Sequence, residues 1–260
     1  MITSSHNPRI QRLRSLLAKR SEREEQKAFV VEGVRLVEEA LQTRWLPQSV
    51  FFTSELSDRG KDLVKRFVDL GVEVEEVPPD LMESISDTEA SQGLLAVLPL
   101  HTLEPPAALN FIVIADAIRD PGNLGTMIRS AAAAGAQAMF LAPGTADPFA
   151  PKVVRSAMGA HFRLPVIATG WEQIVRQCKI QSPPVRLLLS EASEGTPCWQ
   201  LDLRRPLALI IGGEAEGASP EAVKAADQSI TIPMPGKSES LNAAIAAGIL
   251  LFEVVRQRSS

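Results

Sequence analysis

Short apolar runs alternate with amphipathic segments along most of this chain, and the alternation changes character near residue 100. After an Asn7–Pro8 pair suited to an N-cap and a first helical position, Ile10, Leu13, Leu16 and Leu17 recur at helical spacing, and arginines occupy the other faces. The runs AFVVEG, VRLVEEAL, SVFFTSE, LVKRFVDL, VEVEEV, PDLMESIS and GLLAVLPL follow, and they predict a small α/β domain ending near Leu100. Residues 101–109, HTLEPPAAL, place adjacent prolines between apolar runs and read as a linker. Beyond it, FIVIAD, AMFLA, RLPVIA, VRLLLS, PLALIIG and QSITIP have the unbroken apolar character of strands buried on both faces. Helical patterns fall between them around 124–134, 151–158, 171–180, 219–226 and 240–257. The pattern predicts two domains, 1–100 and 110–260, the second a mostly parallel α/β sheet.

Composition narrows the class. A chain of 260 residues with 45% hydrophobic and 22% charged side chains has the makeup of a soluble globular protein and is long enough for two cores. No apolar run reaches the roughly 18 residues of a membrane span. The start, MITSSHNPRIQR, lacks the apolar centre of a secretory signal, so a cytoplasmic location is the default. Cys178 and Cys198 have no CxxC pattern and no nearby histidine, which predicts structural thiols and no metal site. His6, His101 and His161 are likewise isolated, as solvated or locally hydrogen-bonded histidines are.

The net charge of −4 hides an uneven distribution. Residues 1–20 carry Arg9, Arg12, Arg14, Lys19 and Arg20 and no acid. Residues 21–105 carry 8 basic against 18 acidic side chains, and residues 106–260 carry 14 against 13. Any nucleic-acid footprint must therefore be a local patch, with the first helix as its candidate.

Three segments carry the candidate chemistry. In the first, FIVIAD runs through RDPGN into a helix stopped near Gly135; Asn123 is a candidate cap, Gly125 permits close backbone approach, and Arg129 lies one to two turns in. An arginine there suits a phosphate or a developing alkoxide, although a plain strand-turn-helix with a surface arginine has the same pattern. In the second, LIIGGEAEGAS follows an apolar strand and puts Gly212, Gly213 and Gly217 beside Glu214 and Glu216. Glycines let a ligand approach the backbone, but the spacing is not GxGxxG and two carboxylates repel a pyrophosphate, which counts against a dinucleotide site. The third, IPMPGKSESLNAAIAAGILLFE, sets a loop stiffened by Pro233, Pro235 and Gly236 against an Ala-rich helix opened by Leu241, with Ser238 and Ser240 as oxygens for its start.

Taken in order, these segments resemble the three motifs of the SpoU (TrmH-type) RNA 2'-O-ribose methyltransferases, over roughly the last 150 residues. The resemblance implies a deep trefoil knot whose second and third motif loops form an S-adenosylmethionine pocket, and a homodimer with each site built across the interface. It places Gly213, Ile232 and Leu241 at the cofactor, with Met234 and Gly236 in the same loop. Asn123, Arg129, Glu214 and Asn242 take the polar positions of the site, with Ser240 close by. Ala243 and Ala244 stand where the family often has Val-Ser, and Phe252 where it has Tyr. KVVRSAMGAHFRLPV (152–166) is similar to the stretch between the first two motifs, with Lys152, Arg155 and Arg163 as possible RNA contacts or members of a solvated face. Residues 3–41 resemble the ribosomal-protein-like substrate-binding domain that precedes many of the family's rRNA enzymes, which makes Arg9, Arg12 and Lys19 candidates for RNA phosphates.

The reading is a methyltransferase acting on a ribose 2'-hydroxyl in RNA, ribosomal RNA first, with no metal and no membrane. Arginine keeps its proton in proteins, so Arg129 is assigned to phosphate positioning and alkoxide stabilisation rather than to base catalysis. The alternatives are a tRNA 2'-O-methyltransferase, a non-catalytic RNA-binding protein on the same scaffold and, more distantly, a nucleotide-dependent oxidoreductase.

Overall fold

The computed structural model describes residues 1–86, 91–213, 217–236 and 239–259. By its contacts the chain forms two compact units, Met1–His101 with Phe149–Phe162, and Thr102–Pro148 with Arg163–Ser260.

The first unit opens with α1 (Pro8–Ala18), where Asn7 accepts a hydrogen bond from the Arg9 backbone N–H at 2.9 Å and Pro8 takes the first turn. A short α2 (Arg20–Gln26) follows an extended Lys19, so the basic stretch is two helices with a break between them. Then come β1 (Ala28–Glu32), α3 (Val34–Gln42), β2 (Ser49–Phe52), α4 (Asp58–Asp69), β3 (Glu73–Glu76), α5 (Pro79–Glu83) and β4 (Leu94–Pro99). The sheet order is β1-β4-β2-β3, with β2 and β3 parallel and the other pairs antiparallel. The apolar stripe of α1 explains its seat: Ile10, Leu13 and Leu16 are fully buried with Ala28, Val30, Phe51, Leu95 and Val97.

Helix α7 (Pro151–Ala157) lies in the same unit although its sequence falls within the C-terminal half. It packs beside β1, an edge strand that would otherwise leave its flank uncovered. Aromatic contacts fix the segment: Phe149 lies 4.9 Å from Phe29 and Phe162 lies 5.1 Å from Trp45, centroid to centroid.

The second unit holds β5 (Phe111–Asp116), α6 (Pro121–Ala133), β6 (Ala138–Leu141), β7 (Val166–Ala168), α8 (Trp171–Lys179), β8 (Arg186–Glu191), β9 (Thr196–Pro197), β10 (Leu207–Gly212), α9 (Pro220–Ala225), β11 (Gln228–Thr231) and α10 (Ala243–Arg258). Its seven strands run in the order β7-β6-β5-β10-β8-β11-β9, with every pair parallel. The expected strands all form, and the two-residue β9 is added. On one face Ile112, Ile114, Leu187, Leu189, Ala208 and Ile210 pack with Ile174 and Cys178 of α8 and Ala222 of α9. Strand alternation sends the intervening residues to the other face, where α6 and α10 pack against each other. Arg258 fastens the end of α10 to the start of β5: it donates to the Asn110 side chain at 3.0 Å and backbone carbonyl at 2.9 Å and stacks over Phe111 at 5.0 Å.

Candidate active site

A parallel sheet puts all its strand ends on one side, and here the order β5-β10-β8-β11 brings four C-terminal ends together. The first motif leaves β5, the second leaves β10, and the third follows β11. Ligand sites in open α/β sheets lie at this edge. A cavity of about 360 Å³ opens there, within the size range of small-ligand sites. Gly212, Gly213, Gly217, Ile232, Met234, Ser240, Leu241 and Asn242 line it, together with Ser190–Ala192 from the end of β8.

The glycines of the second motif are required by the protein's own backbone. A Cβ on Gly213 would lie 2.8 Å from the Ala117 carbonyl oxygen, and one on Gly212 would lie 2.8 Å from the Ala218 nitrogen. The loop closes on itself, with the Gly217 N–H donating to the Gly213 carbonyl at 3.1 Å. The sequence alone suggested that these glycines make room for a ligand; the structure shows that they first make room for the first motif's turn and for the loop's own return.

Two helix starts differ from the sequence expectation. Asp120, not Asn123, caps α6, accepting from the Asn123 N–H at 2.8 Å with Pro121 at the first position. The cap of α10 is Asn242, which accepts from Ala244 N–H at 3.0 Å and Ile245 N–H at 3.2 Å. Leu241 therefore precedes the helix and lines the cavity. Ser240 lies three residues before the first helical position, and Ser238 lies outside the described residues.

With its backbone capped from elsewhere, the Asn123 side chain accepts a 3.0 Å hydrogen bond from the Asn242 amide. This bond joins the first motif to the third at the mouth of the cavity. Arg129, six residues on, is rotated about 120° around the helix from Asn123. It is exposed and does not line the cavity, and it forms no ion pair with a described carboxylate. Gly236 is also exposed, outside the cavity's described lining. Glu214 lies outside the described residues.

Of the candidate RNA residues, Arg9, Arg12, Lys19, Lys152 and Arg155 fall in the first unit and Arg163 falls in the second. Arg9 is ion-paired with Glu73 and Glu75 of β3. Arg12 donates to Gln26 and Gln48, each at 2.8 Å. Lys19 and Lys152 are exposed and Arg155 is half-buried. Among the described residues no group of three or more His, Cys, Asp or Glu side chains is placed to hold a metal ion, and no helix is long and apolar enough to cross a membrane. Both thiols are buried, and burial pushes that of Cys178 up to about 12.

Sequence reasoning missed Ser190, Glu191 and Ala192, whose only signal is that they end a buried strand. It also missed Asp116, an acid closing the apolar run FIVIAD.

The family model described as the SpoU rRNA methylase family matches residues 110–252, the span that carries this cavity and all three motifs. The chain belongs to the SpoU rRNA methylase family. A second model, the MRM3-like substrate binding domain, matches residues 7–96. The 23S rRNA (guanosine(2553)-2'-O)-methyltransferase RlmP of Bacillus subtilis is 32% identical over 97% of this chain and 98% of its own. The 23S rRNA (uridine(2479)-2'-O)-methyltransferase of Streptomyces viridochromogenes is also 32% identical, over 99% and 92%. Among solved structures, the SpoU methyltransferase AviRb from Streptomyces viridochromogenes in complex with the cofactor AdoMet superposes with a TM-score of 0.86 at 31% identity, covering 97% of this chain and 99% of that one.

Proposed function

We propose that this SpoU-family chain transfers a methyl group from S-adenosylmethionine to a ribose 2'-hydroxyl of ribosomal RNA. The observation that carries the reading is the cavity at the ends of β8, β10 and β11, walled by the second and third motifs and joined to the first through the Asn123–Asn242 bond. Its backbone-rich glycine wall suits a flat, polar nucleoside, while Ile232, Met234 and Leu241 supply apolar contacts. When bound, S-adenosylmethionine supplies an electrophilic methyl on a sulfonium.

The chain's own residues then position the nucleophile. Arg129, exposed and not engaged with a described carboxylate, can grip the phosphate beside the target ribose and offer charge-assisted donors to the forming alkoxide. Asn123, Asn242 and Ser240 supply polar groups where the motifs meet, with Glu214 assigned to the same site by family position. Holding a weak nucleophile in line supplies much of the acceleration.

Ribosomal RNA is favoured because relatives matching nearly the full chain are named for 23S rRNA, and because residues 7–96 match a substrate-binding model. Residues 1–100 form the RNA-docking domain in this reading, with 101–109 as linker and Arg12, Lys19, Lys152 and Arg155 at phosphates; Arg9 must exchange its carboxylate partners to join them. A homodimer is supported by α10, which exposes Ile245, Ile249 and Phe252 at 57%, 41% and 50%, one apolar stripe at helical spacing. The trefoil knot and the cytoplasmic location belong to the same reading, the knot supported by the likeness to AviRb.

The decisive experiment maps 2'-O-methyl groups in total RNA from cells with and without the gene, and repeats the transfer with purified protein. One ribosomal position should lose its methyl and regain it in vitro. A protein that binds NAD and not S-adenosylmethionine, or a deletion that alters only tRNA, defeats the proposal.

A further inference from the structure

The buried carboxylate of Asp116 stands just behind the cavity wall and is not among the described residues that line it. It is the last residue of β5 and pairs in register with Gly212, where the second motif's loop begins. Its two oxygens are both used by the residue at which that loop ends. Asp116 Oδ2 accepts from the Ser219 N–H at 2.6 Å and Oδ1 accepts from the Ser219 hydroxyl at 3.0 Å. The same hydroxyl accepts from the Ala222 N–H at 3.2 Å as the cap of α9. One strand end thus fixes the entry of the loop through sheet register and its exit through a side chain. Between these points lie Gly212, Gly213, Gly217 and Ala218, all of which face the cavity.

We infer that Asp116, with Ser219 as its partner, is a positioning residue for cofactor binding: it holds the second-motif loop in the shape that receives S-adenosylmethionine, without touching the reacting atoms. The inference rests on the methyltransferase reading. A carboxylate is needed because both Ser219 groups donate, and a carboxylate offers acceptors at both oxygens. An amide in its place keeps one acceptor for the Ser219 N–H but loses the charge, and its N–H₂ group meets the Ser219 hydroxyl only if that hydroxyl turns to accept. Helix α6 is capped by its own Asp120, so the first motif's geometry does not depend on the clamp.

The test is made on the full chain with Asp116→Asn and Ser219→Ala, with thermal unfolding of each ligand-free variant as a check on folding. Losing one charge-assisted hydrogen bond corresponds to roughly a tenfold or larger loss of affinity. Asp116→Asn should therefore raise both the Kd and the KM for S-adenosylmethionine by about that factor, while single-turnover transfer at saturating cofactor stays within a few-fold of the parent. Ser219→Ala, which leaves the backbone bond to Oδ2, should give a smaller rise of the same kind. A folded Asp116→Asn protein with parental affinity overturns the inference, and so does a variant whose kcat falls while KM is unchanged. Should Asp116→Asn fail to fold, a folded Ser219→Ala protein with parental affinity overturns it equally. Absence of S-adenosylmethionine binding by the parent chain would instead defeat the functional reading itself.

Discussion

At the scale of single residues, the site separates groups that shape a pocket from groups that act. In the proposed function Arg129 belongs to the second kind: it is exposed, it sits on a helix whose cap and core are secured by others, and its planar fork matches a phosphate. Arg129→Lys retains the charge but loses bidentate geometry. Single-turnover transfer with both ligands saturating should fall by roughly two orders of magnitude. The affinity for S-adenosylmethionine should stay near that of the parent, since the cavity is walled by other segments. A variant that keeps most of the parental rate would make Arg129 an ordinary surface residue. Cys178 is the opposite case, a thiol with no contact to the site. Its folded pKa of about 12 lies above its ordinary 9.0, first through burial and then through the charge of Asp227. The folded state therefore holds the proton longer than the unfolded state does. The stabilisation from the neutral thiol is complete below pH 9 and is lost as pH rises from about 9 towards 12. A thiol-specific disulfide reagent should leave Cys178 unlabelled in the native protein at pH 8 and label it on unfolding; rapid native labelling would contradict the burial.

At the scale of elements, most of the fold was legible because buried parallel strands are written as unbroken apolar runs, and FIVIAD, VRLLLS and PLALIIG each became a strand. Helix starts were read less well, since several polar residues in a row can each cap. RDPGN offers both Asp120 and Asn123, and Asp120 wins because the proline after it is preset for the first helical turn. In KSESLN the cap falls on Asn242, the last polar residue before the Ala-rich run. Ser190–Ala192 stayed hidden for a different reason: their place in the cavity depends on β8 lying between β10 and β11, and strand order is not written in any local pattern. Asn242 thus has two tasks, a cap through its oxygen and a link to Asn123 through its nitrogen. Asn242→Asp keeps the acceptor and loses the donor, so it should remain within about 0.5 kcal/mol of parental stability while transfer falls; Asn242→Ala should lose transfer and about 1 kcal/mol as well. Denaturant melts beside transfer rates separate the two tasks. Equal stability loss in both variants would show that the cap is not what the oxygen provides.

At the scale of the whole molecule, two surfaces remain to be matched to partners. The stripe Ile245, Ile249 and Phe252 starts three residues after Asn242, so a second copy seated on it would lie next to the site. If the proposed homodimer forms through this stripe, Phe252→Asp should convert it to a monomer in light scattering and lower transfer, and a parental dimer in that variant would place the interface elsewhere. The proposed RNA surface is uneven in its side-chain engagement. The five basic residues of the first 20 look equivalent in sequence, yet Arg9 is engaged by Glu73 and Glu75 and Arg12 by two glutamines, whereas Lys19 is exposed. That Lys152 shares a unit with α1 comes from Phe149 and Phe162 burying their rings against Phe29 and Trp45, a long-range pairing no local pattern announces. Each phosphate contact with structured RNA contributes about 0.7 to 0.9 to the slope of log K against log salt. Lys19→Gln should flatten that slope by about this amount and leave S-adenosylmethionine affinity unchanged. Arg9→Gln should change it less, because its charge is already spent on two carboxylates. If the Lys19→Gln variant binds RNA with the parental slope, the docking face lies on other residues and α1 is a structural helix.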